Sequence, residues 1–401
     1  MSKVPLASVV VTSYNYGRFL KAAIDSALNQ TYPHTEVIVV DDGSADDSRD
    51  IIAGYGNQIG AVLKENGGQA SAFNAGIRLS RGDVIVFLDS DDLLLPTAIE
   101  KAVRLFSSGG IAKVHWPLWV VDEQGRKTGE VLPEGPLAEG DLRAAVLASA
   151  ANGYTWSPTS GNCWSRAFLD AIGPLPEEPF RTCPDFYLAA LAPLYGLLKS
   201  ITEPQGLYRI HGSNHGWRAP IAERLEALRR LEEHNLKALS RHCRSLGLAL
   251  DPELCRSNSW SQWLGQVHQA AQDIAALMPG DTPYLLVDEA KWQLHPRDLT
   301  LPGRPLPFPE QNGEYAGPPA DDGSAVREFE RQRMSGARFI IFGWPAFWWL
   351  DYYTGFAEYL RSHFPCILQN ERVVIYHLRE ATRGLEKEGG WRPALSGNEG
   401  E

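Results

Sequence analysis

Cysteine is scarce. The 401-residue chain carries 5, an odd number, and no two are spaced as CxxC. That pattern excludes a disulfide framework, offers no zinc site, and fits a reducing, cytoplasmic compartment. Long apolar runs are also missing. The longest, FIIFGWPAFWWL at residues 339–350, is too short to span a bilayer as a helix and contains Gly343 and Pro345. The opening MSKVPLASVVVTSYN has no apolar stretch of signal-peptide length. A soluble protein is therefore expected, touching a membrane only peripherally. Basic residues are outnumbered, 38 against 49 acidic, for a net charge of -11. Such a balance argues against non-specific nucleic-acid binding, which needs a basic face. It leaves a nucleotide ligand open, because a bound metal offsets carboxylates locally. No glycine-rich, basic phosphate loop lies near the start, since TSYNYGRF is not one. That counts against a nucleotidyltransferase, which otherwise shares an α/β layout and metal use.

What is present suits a large globular chain, with 44% hydrophobic and 22% charged residues and enough length for two domains. Strand and helix signals alternate over the first hundred or so residues. Apolar runs at 7–12, 37–40, 60–63 and 84–88 read as strands. Helical spacing appears at 18–29, 46–55, 69–79 and 96–106 between and after them. This rhythm predicts a mostly parallel, doubly wound sheet with ligands at the carboxyl ends of its strands. Those ends read TSYN, DDGS, KENGG and DSDD, all polar, glycine-bearing or acidic. From about Lys113 to Arg209 the pattern loosens. Helical spacing returns at 221–243 and 257–277, read as a connector, with self-association as a homodimer the alternative. A Pro- and Gly-rich stretch at 295–324 reads as a long ordered loop inside a second small α/β unit. The expected organisation is a catalytic domain at 1–218, a connector at 219–279, a small α/β domain at 280–380 and a frayed tail at 381–401.

The stretch VFLDSDDLLLP sets Asp89, Asp91 and Asp92 directly behind a strand. Like charges this close repel, and an isolated buried carboxylate is costly. Hard cations such as Mg²⁺ and Mn²⁺ prefer oxygen ligands, commonly one or two carboxylates plus substrate phosphates. A metal that holds a diphosphate would make the cluster tolerable. The alternative is a solvated turn in which Asp92 or Ser90 caps the next helix.

The neighbours bear on that choice. The run VVVTSYNYGRFLKAAIDSALNQTYPHTEVIVVDDGSADDS, followed by NGGQASAFNAGIRLSRGDVIVFLDSDD, resembles the nucleotide-sugar-binding half of family 2 glycosyltransferases, which have the GT-A fold. The close resemblance covers roughly residues 6–110 and weakens toward about residue 215. It implies a metal-dependent, inverting transfer from a nucleotide-diphosphate sugar, most simply a UDP-sugar, to a glycan or glycolipid acceptor in polysaccharide synthesis. It further implies Mn²⁺ or Mg²⁺ as cofactor.

Carried over by position, the resemblance places Thr12, Tyr14 and Asn15 at the nucleotide and Asp42 on a ring N–H of the base. Asp89 and Ser90 approach the ribose side, and Asn74 and Arg78 face the donor, with Arg78 toward phosphate. Asp91 is the implied metal ligand. The implied general base is Asp185 in RTCPDFYLAALAPLYG, where Pro184 replaces the usual acidic neighbour; Glu177 and Glu178 are the fallbacks. An N-cap on the following helix is the structural alternative for Asp185. In GLYRIHGSNHG, Arg209 steadies a phosphate and His211 completes the metal shell or contacts the diphosphate. Trp156 and Trp164 are candidates to stack on sugar faces, against core packing as the plainer role. A non-catalytic nucleotide-sugar binder or scaffold remains the rival from another class.

Overall fold

The computed structural model describes residues 4–212, 214, 221–278, 280–292 and 301–378. The boundary expected at 218/219 and the tail expected from 381 lie outside the described residues. The chain divides into two units, residues 1–264 and 265–401.

In the first unit the expected alternation is realised as β1 (Ala7–Ser13), α1 (Gly17–Leu28), β2 (Thr35–Asp41), α2 (Ser48–Gly54), β3 (Gly60–Leu63), α3 (Gln69–Leu79) and β4 (Val84–Asp89). A short β5 (Leu93–Leu94) and α4 (Ala98–Phe106) follow. The region where the pattern loosens is also regular. It holds β6 (Ile111–His115), β7 (Leu118–Val121), β8 (Lys127–Leu132), α5 (Arg143–Ser149), β9 (Asn162–Ser165), α6 (Arg166–Ile172), α7 (Pro184–Tyr195), β10 (Leu197–Ser200) and β11 (Gly206–Arg209). Helices α8 (Ile221–Ser245) and α9 (Pro252–Ser257) follow, and α10 (Trp260–Leu277) begins in this unit and continues into the second.

The central sheet has seven strands in the order β10-β6-β9-β4-β1-β2-β3. All its neighbours pair in parallel except β9, which runs antiparallel to both β4 and β6. Both faces are covered, so its strands read as continuous apolar runs. Val9, Val11, Val37, Val39, Val86 and Leu88 face one core, and Val10, Ile38, Val40, Ile85 and Phe87 the other. The period of two thus splits each run between two cores. A second sheet, β5-β11-β7-β8, brings the segment after β4 beside the segment after β10. Among the described residues no helix is long and apolar enough to cross a membrane.

Helix α3 lies close on β1. A Cβ on Gly76 would stand 2.3 Å from Val10 Cγ1, and Phe73 stacks on Phe87 with ring centroids 3.8 Å apart. The strand cannot retreat, because both its edges are paired. Gly76→Ala is therefore expected to destabilise the unit by about 1–3 kcal/mol through overpacking, read as a lowered thermal midpoint.

The second unit holds β12 (Pro283–Val287), β13 (Arg304–Pro307), β14 (Glu310–Gln311), β15 (Glu314–Tyr315), α11 (Asp322–Arg333), β16 (Phe339–Gly343), α12 (Trp348–Tyr352), α13 (Thr354–His363), β17 (Cys366–Gln369) and β18 (Val373–His377). Its five-stranded sheet runs β13-β12-β16-β18-β17. The stretch expected as a long loop supplies edge strand β13 and the β14–β15 hairpin, while residues 293–300 lie outside the described residues. Pro305 and Pro307 mask that strand in the sequence, but proline is tolerated on an edge where one ladder is missing. Phe308, Phe329, Phe342, Trp349 and Phe356 fill the unit's core; of the aromatic run, Trp349 and Tyr353 are buried while Trp348 and Tyr352 stand exposed.

Candidate active site

The carboxyl ends of β1, β2 and β4 and the N-termini of α3 and α7 surround a cavity of about 400 Å³. Thr12, Tyr14, Asp42, Asp89, Ser90, Asp91, Asp92 and Asp185 all line it. Parallel pairing of β4 with β1 and of β1 with β2 brings these strand ends level. Sequence-distant residues therefore meet where the strand order is crossed.

The three carboxylates at and just beyond the end of β4 diverge. Asp92 turns inward at 2% exposure, accepting from Ser160 Oγ (2.7 Å) and from the Arg209 backbone N–H (2.9 Å). Asp89 accepts from Gln69 Nε2 at 2.8 Å, at the start of α3. Asp91 stays at the cavity, its Oδ2 3.0 Å from His211 Nε2. Burial, then the Asp91 charge, pushes both the Asp89 and the Asp92 carboxyl well above the usual carboxylate range. This is a crowd of like charges that a cation would relieve. Among the described residues no group of three or more His, Cys, Asp and Glu encloses an ion. Asp91 offers a cavity-facing oxygen that would suit a divalent cation taking its other ligands from a diphosphate and water; His211 is buried beside it, does not line the cavity, and would add a ring nitrogen.

Asp185 occupies the second position of α7 and is not its cap; Cys183 stands at the cap position without a side-chain capping bond, and Pro184 opens the helix. Its Oδ2 accepts from Thr159 Oγ1 at 2.9 Å and its Oδ1 from the Phe186 N–H at 3.0 Å. Burial raises its carboxyl above the usual range, opposed by the Thr159 hydroxyl, the Phe186 N–H and the Lys113 charge. A carboxylate in a helix's first turn also gains from the N-terminal dipole. Glu177 and Glu178, the fallbacks, are exposed and are not among the residues lining the cavity.

Several expected site residues are spent elsewhere. Helix α3 points its N-terminus at the cavity, so residues farther along lead away from it. Asn74 is accordingly buried against the 175–177 segment, donating to Leu175 O and accepting from the Leu175 N–H, both at 2.9 Å. Arg78 stands exposed in the last turn of α3. Arg209 is 6% exposed; its Nε donates to Asp91 O (2.9 Å) and its Nη1 to Glu123 O (3.1 Å). It therefore braces the acidic turn and does not line the cavity. Asn15, with φ of 56°, ties β1 to the β2 turn by accepting from the Ala45 N–H at 2.8 Å. Trp164 is core at 1% exposure, and Trp156 donates to Ala151 O at 3.1 Å.

Asp42 lines the cavity, yet both its oxygens are occupied. Oδ1 accepts from Lys64 Nζ (2.5 Å) and the Gly67 N–H (3.0 Å); Oδ2 accepts from Asn66 Nδ2 (3.1 Å) and the Gly68 N–H (2.7 Å). Four donors fill a carboxylate's usual acceptor sites. The side chain therefore anchors the 64–68 loop as a wall of the cavity. Gly68 (φ of 90°) lets that wall meet the 181–183 segment, since its Cβ would lie 2.8 Å from the Arg181 backbone.

Sequence reasoning missed Arg181. It is the one Lys or Arg side chain lining the cavity among the described residues, 46% exposed, with Nη2 donating to Asn66 Oδ1 at 2.8 Å. The signal was its place four residues before Asp185.

Residues 8–130 match the glycosyl transferase family 2 model. An uncharacterized glycosyltransferase of Nostoc sp. is 34% identical over 219 residues, 54% of this chain and 68% of the relative. The chain belongs to glycosyl transferase family 2. An uncharacterized glycosyltransferase of Rickettsia prowazekii is 42% identical over 103 residues, where the match spans 26% of this chain and 32% of the relative. Among solved structures, S. aureus TarS 1-349 in complex with UDP-GlcNAc aligns with a TM-score of 0.45 at 20% identity, over 59% of this chain and 71% of that one. The family membership and the parallel-rich sheet agree with the expected GT-A architecture and make this chain a glycosyltransferase.

Proposed function

We propose that this glycosyltransferase is metal-dependent and inverting. It moves a sugar from a nucleoside-diphosphate donor, UDP-linked on the family resemblance, to a glycan or glycoconjugate acceptor in cell-surface polysaccharide synthesis. The observation that carries the reading is the convergence of Asp185 with Asp89 and Asp91 on one cavity beside Thr12 and Tyr14.

In this reading Tyr14, 46% exposed at the cavity, offers a ring face to the base. Asp89 accepts from the ribose. Asp91 and His211 would hold Mn²⁺ or Mg²⁺, which would supply positive charge for the leaving diphosphate. Asp185 Oδ takes the proton from the acceptor hydroxyl as its oxygen bonds to the anomeric carbon. The bond from that carbon to the diphosphate oxygen breaks on the opposite side, and a nucleoside diphosphate leaves.

Arg181 adds a planar donor set for the diphosphate. Arg181→Ala is expected to raise the donor KM by about ten- to a hundredfold, the loss of a charge-assisted hydrogen bond, with kcat little changed. Steady-state kinetics over donor concentration checks this. The reading as a whole is tested by incubating the protein with UDP-, GDP-, TDP- and CDP-sugars, Mn²⁺ and oligosaccharide acceptors. Free nucleoside diphosphate from one donor is the expected result. Pyrophosphate, or no release from any donor, contradicts it and favours a nucleotidyltransferase or a binder.

A further inference from the structure

Behind Asp185 lies a lysine that the reaction scheme above does not use. Lys113 sits mid-strand in β6 at 0% exposure, and its Nζ has no hydrogen-bond partner among the described residues. An unpaired buried ammonium is costly, so a protein keeps one only where something else stabilises it. Three aromatic rings surround this one, with centroids 5.0 Å (Trp164), 5.4 Å (Tyr154) and 5.5 Å (Trp156) from Nζ. Trp164 is its cross-strand partner on β9. A ring cage attracts a cation and offers a neutral amine little.

The cage is fastened to the helix that carries Asp185. Tyr154 Oη donates to Ala189 O at 2.8 Å, and the Trp156 ring packs 6.2 Å from that of Phe186, the residue after Asp185. Burial pulls the Lys113 amine well below the usual lysine range, and the ring cage and the Asp185 charge oppose that pull; the Lys113 charge in turn opposes the burial that raises Asp185. The other titratable groups around the pair are Asp89 at the end of β4, the Cys183 thiol before Asp185, and His115 on β6. Burial, then the Lys113 charge, holds His115 down at about 3, so it stays neutral. Asp89 disfavours an ionised Asp185, and Lys113 is the cation that opposes it.

We propose that Lys113 is a positioning residue for the general base: an ammonium held by aromatic rings that keeps buried Asp185 in its carboxylate form. This rests on the assignment of Asp185 as base. The metal pair is not involved, and the effect passes through a residue that touches no substrate.

The test is the pH profile of kcat for wild type, Lys113→Met and Trp156→Leu, with donor binding and thermal midpoint measured alongside. Methionine fills similar volume and suits an apolar cage, so Lys113→Met is expected to melt at or above wild type. Its acid limb is expected to move up by about one pH unit, the effect of losing one nearby opposite charge. Trp156→Leu opens one side of the cage and should move the limb the same way by less. Donor Kd should be unchanged in both. A limb that stays in place in both variants, with kcat lowered equally at all pH, overturns the proposal and leaves Lys113 a structural residue. If Lys113→Met does not fold, Trp156→Leu decides alone. Failure of the base assignment is separately visible: Asp185→Asn would then keep its turnover.

Discussion

Asp185→Asn is expected to lower kcat by about 10²- to 10⁴-fold, the usual contribution of a positioned general base, with donor Kd unchanged. Asparagine keeps the shape and can still accept from Thr159 Oγ1, so the start of α7 should hold its place. What disappears is the proton acceptor. Single-turnover kinetics beside a binding titration separates these terms. The wild-type profile should show the same group. Because burial raises the Asp185 carboxyl, the acid limb should fall above the pH where an exposed aspartate titrates. Stability should run the other way. With the folded-state pKa above the unfolded one, the penalty is absent at acid pH, where the group is protonated in both states. It grows as pH rises through the ordinary carboxylate range and is fully present above the raised value. Asp185→Asn should therefore melt above wild type at neutral pH, by differential scanning calorimetry. A fall in both kcat and melting temperature would mark Asp185 as structural.

Asp91→Asn is expected to weaken metal-dependent donor binding by about a hundredfold or more, since a ligand to the cation loses its charge. Asp91 is also among the causes that push Asp89 and Asp92 upward, so its removal relieves repulsion in the turn. The folded state should not suffer. Asp92 holds the turn through Ser160 and the Arg209 backbone, and Arg209 holds Asp91 by its carbonyl, which the substitution leaves intact. Calorimetric titration of donor with and without Mn²⁺ checks the prediction. Equal affinity in mutant and wild type would remove Asp91 from the metal site.

The first half of the fold was legible because its strands are buried on both faces and its helices carry plain periodicity. β6 to β11 were not: they are short, carry aromatic and charged residues such as Lys113 and His115, and gain their register from distant partners. β13 was hidden by its prolines. For the cavity, motif position located Thr12, Tyr14, Asp42, Asp89, Ser90, Asp91 and Asp185. It did not show direction. Asn74 and Arg78 lie on the right helix but at the wrong distance along it, and Arg209 faces backbone carbonyls. Asp42 stands at the cavity with its acceptors already filled. Side-chain partners, which no spacing rule records, made these differences.

The account stands on the cavity being a metal-dependent nucleotide site. The most direct measurement is calorimetric titration of UDP, GDP, TDP and CDP into the wild-type protein, first with Mn²⁺ and then with EDTA. The account predicts saturable binding of one nucleotide, UDP by resemblance, that is lost when the metal is removed. Binding of no nucleotide in either buffer would contradict it.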